Sequence, residues 1–494
     1  MKTLQSFTAR TGDPLGAPLL SSTLEQVNSA ADAAAGAFQT WSQSDGLVRA
    51  QLLRALGVAL EHDRESLVSL ADEETALGQV RLNGELDRTV FQLRRFADIC
   101  EAGTPYSCLD DPAVSGSPPV GHPAMLRQRV PLGPVAVFSA SNFPFAFSVL
   151  GGDTASALAA GCPVVVKAHS GHLLVSNRVA GLIKNVLSDQ KLPSGLISVI
   201  QGGGSEVGVH LIRHQAIAAG AFTGSTRGGS ALQAEANSRP RPIPFFGELG
   251  SINPVVALPE LLTTKAAELS NILVNSITQG CGQFCTSPGV LVLLDGQKYT
   301  ASNDLFVAML AAALSLQRTH AMLTLGMRQS FDNGVTKLLT AGAIPLLGEA
   351  GSQMEPRPFL AQVSALQFIS KDSLREEVFG PSCLVVRAES IEEVLSVLSA
   401  VGGSLTVTLW GVDTESESNQ FLVRSAMSIA GRVLFSGVPT GVAVTAAQQH
   451  GGPWPSSTNP TSTSVGDAAL DRFLRPVCLQ DAPAWLVFRR GIPC

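Results

Sequence analysis

The sequence contains no cluster of lysine or arginine, no C-x-x-C pair, no internal repeat and no apolar run of membrane-spanning length. Each absence removes a class of function. With 34 Lys and Arg against 40 Asp and Glu, and a net charge of −6, the chain lacks the concentrated basic surface on which phosphate-backbone binding rests, so no nucleic acid partner is expected. Its longest apolar stretches, such as 305–316, fall short of the roughly 20 residues needed to cross a bilayer. Arg10 and Asp13 stand where a signal peptide would hold its apolar centre. A cytoplasmic protein without a membrane partner is expected. The eight cysteines, at 100, 108, 162, 281, 285, 383, 478 and 494, sit in a large core-forming chain, which favours reduced thiols over a disulfide framework. No histidine lies near Cys281 or Cys285 in the sequence, and a lone C-x-x-x-C offers a metal too few ligands, so no metal is expected.

What is present is a globular composition, 45% hydrophobic and 15% charged over 494 residues, enough for two or three domains with a core that needs no cross-links. Residues 21–105 read as helical: Leu52, Leu53, Leu56, Val58 and Leu60 recur near helical spacing, while Asp63, Arg64, Glu65, Asp72, Glu73 and Glu74 supply a solvated face. From Pro131 short apolar runs bounded by Gly or Pro take over. PVAVFSA, a helix over about 145–160, CPVVVKA, a helix over about 173–187 and LISVIQGGG follow in turn. Strand and helix in alternation predict an α/β fold with a doubly wound parallel sheet. A second series after Gly250 (INPVVALP, GVLVLLD, a helix over 305–316, CLVVRAE, a helix over 391–401, SLTVTLW) predicts a second such domain. The Pro/Gly/Ser-rich segment 107–122 reads as a linker or exposed arm, and PVCLQDAPAWLVF as a C-terminal strand.

The chemistry-bearing residues stand at strand ends. GGGSEVG at 202–208 follows a strand but does not match G-x-G-x-x-G, and a tight turn explains it as well. AFTGSTRGGSAL at 221–232 leads a strand through Gly224 and Ser225 into a helix whose free N–H groups would suit a pyrophosphate. FFGELGSINP puts Glu248 at an apolar strand end, and SASNFPF puts Asn142 at another, both where open α/β sheets bind ligands. SITQGCGQFCTSPG adds two thiols, Cys281 and Cys285. A carboxylate, an amide donor and a thiol are the parts of acyl chemistry through a thioester. Taken singly, each also has a plain reading: an ion-paired acid, a turn asparagine, a packed thiol.

GELG at 247–250, GQFC at 282–285, FTGS at 222–225, SNFPF at 141–145 and EEVFGP at 376–381 resemble, in order and separation, the aldehyde dehydrogenase superfamily over nearly the entire chain. Within it, FSVLGGDTASALAAGCPVVVKAHSGH, QHGGPWPSST and TSVGDAALDRFLRPVCLQD look most like the 2-oxoglutarate semialdehyde (2,5-dioxovalerate) dehydrogenases, a group that includes NADP-dependent fatty-aldehyde dehydrogenases. The resemblance implies an aldehyde dehydrogenase-like fold of two doubly wound parallel-sheet domains plus a small β oligomerisation arm. Residues 1–112 and 132–249 would be the cofactor-binding domain, 250–465 the catalytic domain, and 113–131 with 466–494 the arm of a homodimer or homotetramer. It implies Cys285 as nucleophile, Asn142 in the oxyanion site and Glu248 as the base for thioester hydrolysis, leaving Cys281 as a packing thiol or oxidation partner. Relatives that pass the acyl group to coenzyme A typically lack this Glu. It further implies Lys167 on the cofactor ribose, Gly224 and Ser225 at the pyrophosphate, and Glu377 and Phe379 around the nicotinamide.

Two departures stand out: Ser141 where many relatives have Trp, and Gly250-Ser251-Ile252 in place of the frequent Gly-Gly-Lys. Many NAD-specific relatives carry Glu where this chain has Ser170, so NADP is the expected preference with NAD possible, and Lys167, His169 and Arg227 would add positive charge near a 2′-phosphate. Phe145, Phe147, Phe284 and Trp454, with the polar Ser287, His450, Ser456 and Ser457, are the expected walls of the substrate funnel. The expected reaction is oxidation of 2-oxoglutarate semialdehyde to 2-oxoglutarate. The alternatives are oxidation of a medium- or long-chain aliphatic aldehyde and, from another class, a non-catalytic structural or binding protein on the same fold.

Overall fold

A computed structural model describes residues 2–487, and two parallel sheets dominate it. The first has five strands in the order Ile197–Ile200, Val164–Lys167, Val135–Phe138, Ala219–Thr223 and Phe245–Glu248, all parallel. Its β-branched strands are buried on both faces, with Val135, Val164, Val165 and Val166 fully inaccessible, as helices on either side of a parallel sheet require. Strand order reverses between Val135–Phe138 and Ala219–Thr223, and this switch point opens a crevice at the carboxyl ends of the strands. Asn142, Lys167, Gly224 and Glu248 all lie at those ends.

The second sheet has seven strands, in the order Ile344–Gly348, Phe359–Ser364, Ser382–Ala388, Val290–Leu294, Val255–Ala257, Ser404–Trp410 and Ala430–Leu434. It is parallel except for the antiparallel edge strand Ile344–Gly348. A third sheet pairs Leu474–Gln480, Met125–Pro131 and Leu109–Asp111 antiparallel, bringing together the two segments expected to form an arm; of the range 466–494, residues 488–494 lie outside the described residues. A hairpin of Thr3–Phe7 and Pro14–Leu20, not expected from sequence, precedes the helical layer.

Several expectations are corrected. The helix predicted over 145–160 begins only at Gly152, because the Phe145 and Ala146 N–H groups donate to the Glu85 carboxylate at 2.8 and 3.0 Å instead of entering a helical ladder. The helix placed at 305–316 runs from Gly296 to Ser315. After Leu474–Gln480 the C-terminal run turns helical at Ala484–Val487. Val58 faces outward, 42% exposed. Glu74 is not on a solvated face: it is 1% exposed, accepts the Leu174 and Val175 N–H groups at 2.9 Å, and so caps the Leu173–Asp189 helix. Cys108 is disulfide-bonded, whereas Cys100, Cys162, Cys281, Cys285, Cys383 and Cys478 are free thiols; a core sufficient without cross-links does not forbid one at the periphery. Among the described residues no helix is long and apolar enough to cross a membrane.

The Gln79–Ala102 helix positions much of the crevice. Leu82, Leu86, Val90, Leu93 and Phe96 bury one stripe in the core. Arg81, Glu85, Arg88 and Gln92, spaced four, three and four apart, form a neighbouring stripe toward the strand ends. Arg81 donates to the Asn142 carbonyl at 2.7 Å, and Glu85 holds the turn that follows Asn142. Replacing Glu85 with Leu would leave two buried N–H groups unpaired at a cost of about 2 kcal/mol each. Glu85→Leu is therefore expected to lower the thermal midpoint and, by loosening the Asn142 turn, to slow acylation in a single-turnover experiment. An unchanged midpoint would show that the turn is held by other means.

Candidate active site

Cys285 follows a tight turn, Gln279–Gly282, in which Gly280, Cys281 and Gly282 all take left-handed backbone angles, with φ of 56°, 60° and 66°. A Cβ on Gly282 would lie 2.2 Å from the Gly380 carbonyl group, so only glycine allows this approach. Past the turn, Asn253 fixes the chain by donating from Nδ2 to the carbonyls of Cys285 and Ser287 at 2.8 and 2.9 Å. The departure at Gly250-Ser251-Ile252 enters here: Ser251 Oγ donates to Asn253 Oδ1 at 2.8 Å and accepts the Leu405 N–H at 2.9 Å. Cys281 is buried, and burial pushes its thiol up to about 12.

Glu248 comes from the last strand of the first sheet, whose open edge is closed by the C-terminal segment: Leu249 N–H donates to Ser456 O at 2.9 Å and Thr458 N–H to Gly247 O at 3.0 Å. Ser456 and Ser457, expected in the funnel, instead complete this pairing. The carboxylate is 4% exposed. His450 Nε2 donates to its Oε1 at 2.8 Å and Ser464 Oγ to its Oε2 at 2.6 Å. Burial alone would raise its pKa, but the His450 charge and these hydrogen bonds bring it below the usual value, so Glu248 is ionised at neutral pH.

The same His450 nitrogen lies 3.5 Å from Cys285 Sγ. With Glu248 ionised, Nε2 carries the proton and offers it to both Oε1 and Sγ, while the buried Nδ1 has no partner. His450 thus stands between the thiol and the carboxylate, a position that its place among funnel residues did not anticipate. Burial pushes the Cys285 thiol well above its ordinary value, the Glu248 and Glu377 charges add to the rise, and Arg88 opposes it. Asn142 reaches the same stretch of chain: its Nδ2 donates one hydrogen to Gln283 O, two residues before Cys285, at 3.0 Å. The donor atoms of Glu248, Cys285 and His450 lie within 4.8 Å of one another, a spacing their shared hydrogen bonding accounts for.

Around the thiol, Phe284 meets Phe143 edge-on with ring centroids 5.3 Å apart, and Phe147 lies 6.5 Å from the His450 ring. Phe143 was not singled out in the sequence. Phe145, which was, is 3% exposed and belongs to the core, and Trp454 is 53% exposed at the surface. Phe284, Ser287, Ser251, Glu377 and Phe379 line one pocket, and Ser287 Oγ is buried there without a partner.

The crevice of the first sheet fits a dinucleotide. Ser225 caps the Thr226–Asn237 helix by accepting the Gly228 N–H at 3.2 Å, leaving neighbouring N–H groups open for a phosphate. Thr223 Oγ1 is buried without a partner. Gly224, Ser225, Arg227 and Ser170 are exposed and Lys167 is half-buried at its strand end; among the described residues Lys167 makes no ion pair. A Cβ on Gly250 would lie 2.4 Å from the Glu377 carboxylate, which burial raises to about 7 against a Ser251 N–H bond that lowers it. One expectation is corrected: burial, with the His172 and Lys167 charges, lowers His169 to about 3, so His169 is neutral at physiological pH and brings no positive charge.

A doubly wound crevice fit for a nucleotide, opening beside a thiol, a carboxylate and an amide donor, defines a dinucleotide-dependent enzyme working through an acyl-thiol. The chain belongs to the aldehyde dehydrogenase family, whose model matches residues 2–476. It is 40% identical over 485 residues to alpha-ketoglutaric semialdehyde dehydrogenase 2 of Azospirillum brasilense, covering 97% of this chain and 92% of that one. It is 38% identical over 484 residues to alpha-ketoglutaric semialdehyde dehydrogenase of Acinetobacter baylyi, covering 97% and 91%. Among solved structures, glyceraldehyde-3-phosphate dehydrogenase of Methanocaldococcus jannaschii complexed with NADP shares the fold at a TM-score of 0.81 and 17% identity, over 97% of this chain and 100% of that one. The protein is an aldehyde dehydrogenase that uses a nicotinamide dinucleotide.

The electrostatics carry a sign that can be measured. Glu248 raises the Cys285 pKa by its charge and by hydrogen bonding, so Glu248→Gln is expected to move the pH profile of Cys285 alkylation by iodoacetamide to lower pH. A shift to higher pH, or none, would contradict the geometry.

Proposed function

We propose that the enzyme oxidises 2-oxoglutarate semialdehyde to 2-oxoglutarate and releases the product by hydrolysis. The observation that carries the mechanism is the chain Cys285–His450–Glu248, with Asn142 beside it. The Cys285 thiol gives its proton to water, the His450 Nε2–H stabilises the thiolate by hydrogen bonding, and the sulfur adds to the aldehyde carbon. The free Asn142 N–H and the Cys285 backbone N–H stabilise the oxyanion. A nicotinamide dinucleotide, when bound, would supply the acceptor for the hydride that leaves the aldehyde carbon. Lys167, Ser225, Glu377 and Phe379 are the residues that would hold the cofactor. Glu248 then takes a proton from water, which attacks the thioester carbonyl; the C–S bond breaks, freeing the acid and the Cys285 thiol.

The substrate assignment rests on the two relatives at 40% and 38% identity, both of that activity. A fatty aldehyde would need a long apolar channel, each buried methylene contributing about 0.8 kcal/mol, whereas here Arg81 and Arg88 stack over Phe143, Phe284 and Phe147. NADP is the proposed preference, since Ser170 removes the carboxylate that would repel a 2′-phosphate and Lys167 and Arg227 remain as cations. We assign 1–112 with 132–249 to cofactor binding and 250–465 to catalysis, and propose that 113–131 and the strand Leu474–Gln480 add to a partner's sheet in a homo-oligomer.

Cys285→Ser is expected to abolish turnover with folding intact, which would be impossible for a non-catalytic protein on this fold. Glu248→Gln is expected to give one burst of reduced cofactor and then stall as the acyl-enzyme; steady turnover in that variant would sink the role of Glu248. Rates on the semialdehyde, hexanal and decanal with both cofactors test the rest: efficiency rising with chain length, or NAD more than about tenfold better than NADP, would overturn the respective assignment.

A further inference from the structure

The Gln79–Ala102 helix carries, within electrostatic reach of Cys285 and Glu248, a guanidinium that no carboxylate pairs with among the described residues. Arg88 is half-buried, stacks over the Phe147 ring with its carbon 5.7 Å from the centroid, and uses Nη1 to donate to the Val442 carbonyl. Its Nε and Nη2 are buried and unpartnered, and among the described residues it forms no ion pair. Neither nearby acid meets that edge: both Glu248 oxygens are taken by His450 and Ser464, while Glu85 gives Oε1 to two backbone N–H groups and leaves its buried Oε2 without a hydrogen bond, to Arg88 or to anything else among the described residues. The two free nitrogens form one edge of the guanidinium, the edge a carboxylate meets with both oxygens in parallel hydrogen bonds. A buried charge left without such a partner is costly, so an edge of this kind points to an anion that arrives with the ligand. Arg432 is the contrast. It donates to the Gly441 and Pro439 carbonyls at 3.0 and 2.5 Å and keeps only Nε free, so it braces the loop that also accepts from Arg88.

We propose that Arg88 binds the carboxylate end of the substrate through its Nε and Nη2 edge while the aldehyde carbon sits at Cys285, selecting aldehydes that end in a 2-oxo acid or carboxylate over neutral ones. The inference deepens the reading of the substrate given above and rests on it. Because Arg88 also acts on the Cys285 charge, its loss changes the reactivity of the thiol toward every aldehyde. The quantity that isolates binding is therefore the ratio of kcat/KM for 2-oxoglutarate semialdehyde to that for pentanal, a neutral aldehyde of the same carbon count, in which the thiol's reactivity cancels.

Arg88→Gln is expected to lower that ratio at least about thirtyfold, with Arg88→Lys in between because an ammonium supplies charge without the fork. Glutarate, a non-reactive dianion, is expected to stabilise the wild-type protein against heat and to lose most of that effect in Arg88→Gln, with circular dichroism reporting that the variant is folded. A ratio unchanged in Arg88→Gln, or equal stabilisation of both proteins by glutarate, would overturn the proposal. Wild-type preference for pentanal would instead overturn the substrate reading, and the glutarate comparison would then decide the anion site on its own.

Discussion

Everything at this site depends on keeping one buried carboxylate ionised. Placing Glu248 at an interior strand end would cost several kcal/mol if it stood alone, and two donors, His450 Nε2 and Ser464 Oγ, offset that cost by taking one oxygen each. Both donors lie in the segment that follows the second sheet, more than 200 residues along the chain from Glu248. That segment also closes the edge of the Glu248 strand through Ser456 and Thr458. The charge state of Glu248 is thus a property of how the C-terminal third docks on the first sheet, and neither half of the molecule holds the whole cluster by itself.

The thiol is treated differently. Its environment disfavours the thiolate, and what the fold supplies is position: a turn of left-handed residues seated on Gly380, and an Asn253 amide that holds the carbonyls of Cys285 and Ser287. Ser251, where many relatives have glycine, ties that amide to the Ser404–Trp410 strand. Glu248 and Cys285 are therefore anchored to different sheets, and His450 touches both.

Residues at strand ends could be read from the sequence because the cue is local. The apolar runs mark the strands, and Glu248, Asn142 and Lys167 follow directly from where those runs stop. His450 is visible in sequence only as a polar residue, since its pairing with Glu248 spans a tertiary contact. The charged stripe Arg81, Glu85 and Arg88 is hidden for another reason: on an amphipathic helix, charge at this spacing reads as a solvated face, and the same assumption misplaced Glu74, which proves to be a buried cap. The start of the helix at Gly152 was missed because Glu85, a distant acid, satisfies the backbone groups that would otherwise have begun it.

The seating of Gly282 against Gly380 has a consequence for how such a molecule can diverge. A side chain on Gly282 would strike the backbone of the loop that carries Glu377 and Phe379, and one on Gly380 would strike the Phe331 ring, its Cβ lying 2.3 Å away, so neither glycine can be replaced without displacing a neighbour. A lineage that changes its preferred aldehyde must leave this seam alone and work elsewhere, as at the half-buried Arg88 and the 439–449 loop whose Val442 carbonyl accepts from it. Chemistry and specificity then sit on separate mutational tracks.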